Sequence, residues 1–130
     1  KIIVQIGWCD NYCAASDEIL GCVACSDTIE GIKKEYRSAL DFHIKGMLED
    51  GDELPEKLKN EYELVFELDT SAMLHSLDGI VTRKAIAKVT GINEALLTHY
   101  ANGFRKPRPV QRQRIIDGIH QIGRELTLIG

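Results

Sequence analysis

The chain has 130 residues, 44% of them hydrophobic, with four cysteines and a formal net charge of −4. That composition supports a packed core and excludes a disordered tail, and no apolar run approaches the ~20 residues of a membrane helix. Residues 1–78 hold 7 Lys+Arg against 17 Asp+Glu (−10) and residues 79–130 hold 9 against 3 (+6), so the mildly acidic average conceals two opposed modules.

In chain order, IIVQIGW (residues 2–8) is β-rich and stops at the turn signal Asp10-Asn11. Residues 12–16 return as a second strand. After the polar break Ser16-Asp17-Glu18, residues 20–26 make a third. The period then changes. Ile29, Ile32, Tyr36, Ala39, Leu40, Ile44, Met47 and Leu48 recur at spacings that put them on one helix face. Asp27 suits the N-cap, with Glu30 three residues on as in a capping box, and Gly51 suits the end. His43 on this face reads as a packed or boundary residue. Residues 51–60, with Pro55, read as a polar loop. YELVFEL (residues 62–68) alternates as a half-buried strand. The predicted N-terminal module, residues 1–69, is β-β-β-α-β in a small α+β arrangement.

Cys9, Cys13, Cys22 and Cys25 all fall within the first 25 residues. Cys22-x-x-Cys25 invites a zinc or redox reading, but in a strand an offset of three puts the two side chains on opposite faces. Val23-Ala24 is no turn signal and no histidine is near. Buried or half-buried thiols in a reduced compartment are expected, with no metal and no cofactor. Asp10, Asp17 and Asp27 sit near strand ends or turns, but nothing in their spacing converges them on a catalytic metal. KIIVQIGWC lacks a small-residue cleavage site, so a cytoplasmic protein without a signal peptide is expected.

From residue 70 onward the pattern is helical. Residues 71–77 form a short helix, stopped at Asp78-Gly79. Thr82 caps a second helix with Ile86 and Val89 inward, and Gly91 breaks it. Asn93 caps a third with Leu96, Leu97 and Tyr100 inward, and Gly103 ends it. Pro109 opens a fourth, with Val110, Ile115, Ile116, Ile119 and Ile122 as its buried stripe. Residues 127–129 read as a short terminal strand. Two helices joined by a three- to four-residue turn with Gly form the DNA-binding helix-turn-helix. Ala87 is small where the helices cross, Gly91 supplies the turn and Ile92 plugs the core. Asn93, Glu94, Ala95, Thr98, His99 and Asn102 then face outward as candidate base contacts. Arg83 and Lys84 on one side, and Arg105, Lys106 and Arg108 on the other, are candidate phosphate contacts.

Thr82, Ile86-Ala87, Gly91-Ile92-Asn93, Leu97-Thr98, Tyr100, Asn102-Gly103 and Arg105-Lys106-Pro107 resemble the Cro/C1 repressor (XRE-type) helix-turn-helix across residues 70–123. Arg83 stands where many relatives carry Gln. Over nearly the whole chain, a second set of motifs resembles the HicB antitoxins of bacterial type II toxin–antitoxin pairs. These are Asp10-Asn11-Tyr12, Leu20-Gly21-Cys22-Val23, Asp27-Thr28-Ile29-Glu30, and Leu48-Glu49-Asp50-Gly51 with Pro55 following. Ile19 replaces a frequent Pro, and Ser26 the usual Gly.

The resemblances imply an α+β protein: a non-catalytic, partial ribonuclease-H-like N-terminal domain (1–69) and an all-α, lambda-repressor-like C-terminal domain (70–130). They imply two partners, double-stranded operator DNA and a small basic HicA-type toxin that cleaves mRNA. The antitoxin would neutralise that toxin and autorepress the shared operon as a homodimer or higher homo-oligomer. Asp10, Asp17, Glu18 and Asp27 are the candidate toxin-binding acids, since a −10 module is steered towards a basic partner. One alternative is an XRE-type repressor whose N-terminal module senses a ligand or only dimerises. Another is a Mg²⁺-dependent nuclease, which needs converging carboxylates.

Overall fold

Strict alternation in the first strand sets the inner and outer faces of the only sheet. The computed structural model describes residues 1–130. In β1 (Ile2–Trp8), Ile2, Val4 and Ile6 are fully buried and Gln5 points to solvent. A turn over residues 9–11, with Asp10 at φ 62°, leads into β2 (Tyr12–Ser16), which pairs antiparallel with β1. Trp8 and Tyr12 face each other across the pair, rings edge-on at 4.9 Å. Asp17-Glu18 turns the chain into β3 (Ile19–Ser26), antiparallel to β2 with a register shift at Ala15/Ser16. Gly21, at φ 84°, absorbs the extra length of β3 there, a conformation unfavourable for any residue with a Cβ.

α1 (Ile29–Glu49) lies against β3 and β2, burying Ile32, Tyr36 and Leu40. Its N-cap is Thr28 rather than the expected Asp27: Thr28 is extended, and the Gly31 N–H donates to its Oγ1 at 2.9 Å. With the cap one residue later, Glu30 no longer stands three residues beyond it, so there is no capping box. At the other end Gly51 (φ 73°) donates to the Leu48 carbonyl and Asp52 to that of Met47, a Schellman closure. Leu48, expected on the buried stripe, is exposed because packing fades beyond Leu40.

The expected loop over residues 51–60 contains one helical turn, α2 (Glu56–Lys59). Pro55 presets its entry, Leu58 is buried beneath it, and Lys59 pairs with Glu53 and Glu56. β4 (Leu64–Leu68) is two residues shorter than the alternating segment. It pairs in parallel with β1 over Ile2–Ile6, giving the sheet order β3-β2-β1-β4. Phe66 meets Tyr36 edge-on at 6.1 Å, and the Arg37 guanidinium stands 5.3 Å from the Phe66 ring centroid.

Lys1–Asp69 is one compact unit and Thr70–Gly130 a second. The second is wholly helical: α3 (Thr70–Ser76), α4 (Arg83–Thr90), α5 (Glu94–Ala101) and α6 (Pro109–Thr127). Its core is Leu74, Ile86, Ile92, Leu97, Tyr100, Ala101 and Ile115. α6 approaches α4 closely because residue 118 is glycine: a Cβ there would fall 2.4 Å from Thr90 Cγ2. Val110, expected on the buried stripe, is 83% exposed, since the first turn of α6 runs past the core that Ile115 enters. Residues 127–129 form no strand. The helix continues through Thr127, and this unit offers no strand to pair with. The protein is therefore mixed α and β, with one four-stranded sheet and six helices, none long and apolar enough to cross a membrane.

Candidate nucleic-acid interface

α4 and α5 are two eight-residue helices joined by residues 91–93, and each bond in the turn has a local cause. Thr82 caps α4, accepting from the Ala85 N–H at 3.0 Å. Gly91 takes φ 73° and donates to the Ala87 carbonyl. The buried Thr90 hydroxyl donates to the Ile86 carbonyl and accepts from the Ile92 N–H, so the turn leaves no orphan donor there. Ile92 fills the core and Asn93 caps α5, its Oδ1 accepting from Ala95 N–H at 2.8 Å.

With Leu97, Tyr100 and Ala101 buried, the opposite face of α5 presents Glu94, Ala95, Thr98, His99 and Asn102. These five of the six candidate base contacts share one stripe, as positions i, i+1, i+4, i+5 and i+8 must. The sixth, Asn93, is exposed at the start of the helix with its side-chain carbonyl oxygen engaged in the cap, so its NH₂ takes no part in the cap bond. Gly103 (φ 76°) donates to the Tyr100 carbonyl and Phe104 to that of His99, a second Schellman closure that aims the following basic loop. Arg105, Lys106 and Arg108 in that loop are exposed and make no ion pair within the chain, and Lys84 is exposed on the first turn of α4.

Arg83 differs from the other cations. Its side chain is only 24% exposed, Nη2 is 3.6 Å from Asp78, and Nε is buried without a partner. It lines a groove of about 570 Å³ with Asp78, Ile80, Thr82, Glu94 and Thr98. The groove brings Arg83 beside two of the candidate base contacts, rather than out on the rim with Lys84.

Three further residues on or beside these helices are not among the candidate contacts. Arg114, on α6, reaches to 3.1 Å from where a Gly91 Cβ would stand. Phe104, 74% exposed, packs its ring at 6.0 Å from His99. Lys88 is an exposed cation on α4. Lys88 was visible as a basic residue on the helix. Phe104 is set against His99 by the local Schellman closure at Gly103, whereas Arg114 depends on tertiary placement and left no local signal.

The candidate acids of the first unit do not form one site. Asp10 and Asp27 flank the end of the sheet where Trp8, Tyr12 and Ser26 lie in register, while Asp17 and Glu18 are at the opposite turn. Glu18 is engaged internally: it accepts from the Ile3 N–H at 2.7 Å and pairs with Lys57. The Lys57 ammonium, then the Ile3 amide, hold its carboxyl below the usual value. Cys22 is buried on the α1 face while Cys25 is exposed, and burial pushes the Cys22 thiol up. No group of three or more His, Cys, Asp or Glu side chains is placed to hold a metal ion.

No family model matches the chain. It is 27% identical over 108 residues to an uncharacterized 14.9 kDa protein in the rep-hol intergenic region of Haemophilus phage HP1, covering 81% of this chain and 80% of that protein. A 108-residue match is longer than either unit, so it takes in residues of both.

Proposed function

We propose that the chain is an antitoxin of the HicB type, which neutralises a HicA-type mRNA-cleaving toxin and represses its own operon by binding duplex DNA. In this reading α3–α6 form a lambda-repressor-like domain and α4–α5 its helix-turn-helix. The first unit is a partial ribonuclease-H-like domain that binds a protein rather than performing catalysis. The observation that carries the DNA-binding half is the α5 stripe Glu94, Ala95, Thr98, His99 and Asn102, outward-facing between Lys84 and the unpaired cations Arg105, Lys106 and Arg108. A helix so placed enters the major groove with phosphate contacts on either side. Arg83 is reassigned from an outer phosphate contact to the groove edge, because Asp78 and Glu94 beside it would repel a phosphate. The toxin half rests on the family resemblance and on the acidic charge of the first unit.

The test is a salt titration of binding to duplex DNA from the upstream region of the operon. Arg105→Ala is expected to weaken binding across sequences and reduce the log–log salt slope by about one. An unchanged slope would remove Arg105 from the interface, and absence of binding at low salt would sink the repressor reading. Co-purification of a small basic protein, and neutralisation of it by residues 1–69, test the antitoxin half separately.

The alternative, a repressor whose first unit senses a ligand or dimerises, has one observation in its favour. A groove of about 490 Å³ lies between β3 and α1, lined by Val23, Phe42, His43 and Met47 among others. Substitutions there that abolish repression without affecting a toxin partner would favour it.

A further inference from the structure

Cys13 and Cys25 stand directly opposite each other in the β2–β3 ladder, with their sulfurs 2.8 Å apart. They lie on the sheet face that α1 leaves open: Tyr12 and Ala14, on either side of Cys13, are buried, and Cys25 is exposed. Cα atoms of directly opposed antiparallel residues are about 4.5–5.5 Å apart, within the span a disulfide bridges. The sulfurs need to approach by less than about 1 Å to reach bonding distance, which side-chain rotation supplies without moving the strands. Cys22 is buried on the other face, and Cys9 lies in the turn beyond β1, separated from β3 by β2.

We propose that Cys13 and Cys25 are a reversible dithiol–disulfide pair, an exposed modification site whose co-reactant is a small thiol oxidant of the peroxide class. The Cys25 sulfur attacks a peroxide oxygen, the O–O bond breaks, and a sulfenic acid and one water result. The Cys13 sulfur then attacks the Cys25 sulfur, the S–O bond breaks, and the Cys13 proton leaves with the hydroxyl as a second water. Two thiols and one hydrogen peroxide become one disulfide and two waters, two electrons passing from sulfur to peroxide. A dithiol reductant reverses the bond by exchange. The order of attack follows from the site. Cys25 is exposed and Cys13 half-buried, so Cys25 meets the oxidant first and Cys13 resolves; the contact with Cys25, then burial, also pushes the Cys13 thiol up to about 11.

The bond would tie β3, an edge strand, to β2 across the segment that contains the register shift and Gly21. This holds whatever macromolecule the chain binds, and it does not rest on the antitoxin reading.

The test uses the full chain, reduced and then treated with hydrogen peroxide. Expected are loss of two hydrogens from the monomer mass and reversal by dithiothreitol. After cleavage by a glutamyl endopeptidase, which cuts at Glu18 and Glu30, a disulfide should join fragments 1–18 and 19–30. The same linkage is expected in a Cys9→Ser, Cys22→Ala variant, and none in Cys13→Ser or Cys25→Ser. Amide exchange of β3 should slow in the oxidised form. Four free thiols after treatment, a bridge through Cys9 or Cys22, a purely intermolecular disulfide, or β3 exchange equal in both forms would each overturn the proposal.

Discussion

The two units handle charge in opposite ways. In the first, acids are dispersed: Asp10 and Asp27 at one end of the sheet, Asp17 and Glu18 at the other, with Glu18, Glu53 and Glu56 already paired to lysines. In the second, cations gather around one helix, and Arg105, Lys106 and Arg108 are left without internal partners. Net charge alone makes the two look symmetrical, a negative module beside a positive one. Among the candidate contact residues, only the cations of the second unit flank one helix, while the acids Asp10, Asp27 and Asp17, Glu18 lie at opposite ends of the sheet. A dispersed charge steers a partner from a distance, whereas a clustered, unpaired one defines where contact occurs.

The strongest way to break this contrast is to unfold one unit and watch the other. Leu97 is fully buried in the helical core, so Leu97→Ala is expected to cost about 3 kcal/mol. The single tryptophan, Trp8, reports on the sheet unit. The share of the helical circular-dichroism signal that comes from α3–α6 should be lost at lower denaturant, while the share from α1 and the Trp8 fluorescence transition stay. Equal movement of both would mean the units do not fold separately. A smaller effect, about 2 kcal/mol, is expected from Gly118→Ala, because the added methyl meets Thr90, whose hydroxyl is already bonded into the turn. The same two probes should again divide, and on the proposed repressor reading DNA affinity should fall with the turn geometry.

The smallest effect sharpens the acidic side. The folded-state pKa of Glu18 is depressed, so its contribution to stability is complete above the unfolded value and is lost as pH falls through the folded one. Glu18→Gln should therefore reduce the stability difference between about pH 7 and about pH 3, read from Trp8. An identical acid profile would mean that the Lys57 and Ile3 contacts do not persist in solution.

What the sequence revealed was mostly what is local. Thr82, Gly91, Asn93 and Gly103 each act within four residues of themselves, and all four sit at the helix ends where their chemistry placed them. β1 was legible to the residue because Ile2, Val4 and Ile6 alternate without exception. Failures came where a distant partner decides. α2 exists because Leu58 is buried, which a four-residue pattern cannot announce. Val110 obeys the period of α6 yet has nothing to pack against. Residues 127–129 have strand propensity but no neighbouring strand, and the helix takes up Thr127 and ends at Leu128. The approach of Arg114 to Gly91 and the meeting of Cys13 with Cys25 are matters of packing and register, and spacing along the chain encodes neither.

The strand order β3-β2-β1-β4 has a consequence for how the protein is made. Of these four strands β1 is made first and sits inside the finished sheet, while the strand that covers its other edge arrives only with residues 64–68. During translation the β1-β2-β3 hairpins and α1 can assemble from local contacts, but one side of β1 stays an open template for any extended peptide until the parallel partner emerges. The newborn chain is thus most exposed to mispairing in the interval between completing α1 and completing β4. Slowing translation across residues 50–63 would lengthen that interval, with nascent aggregates rising in proportion.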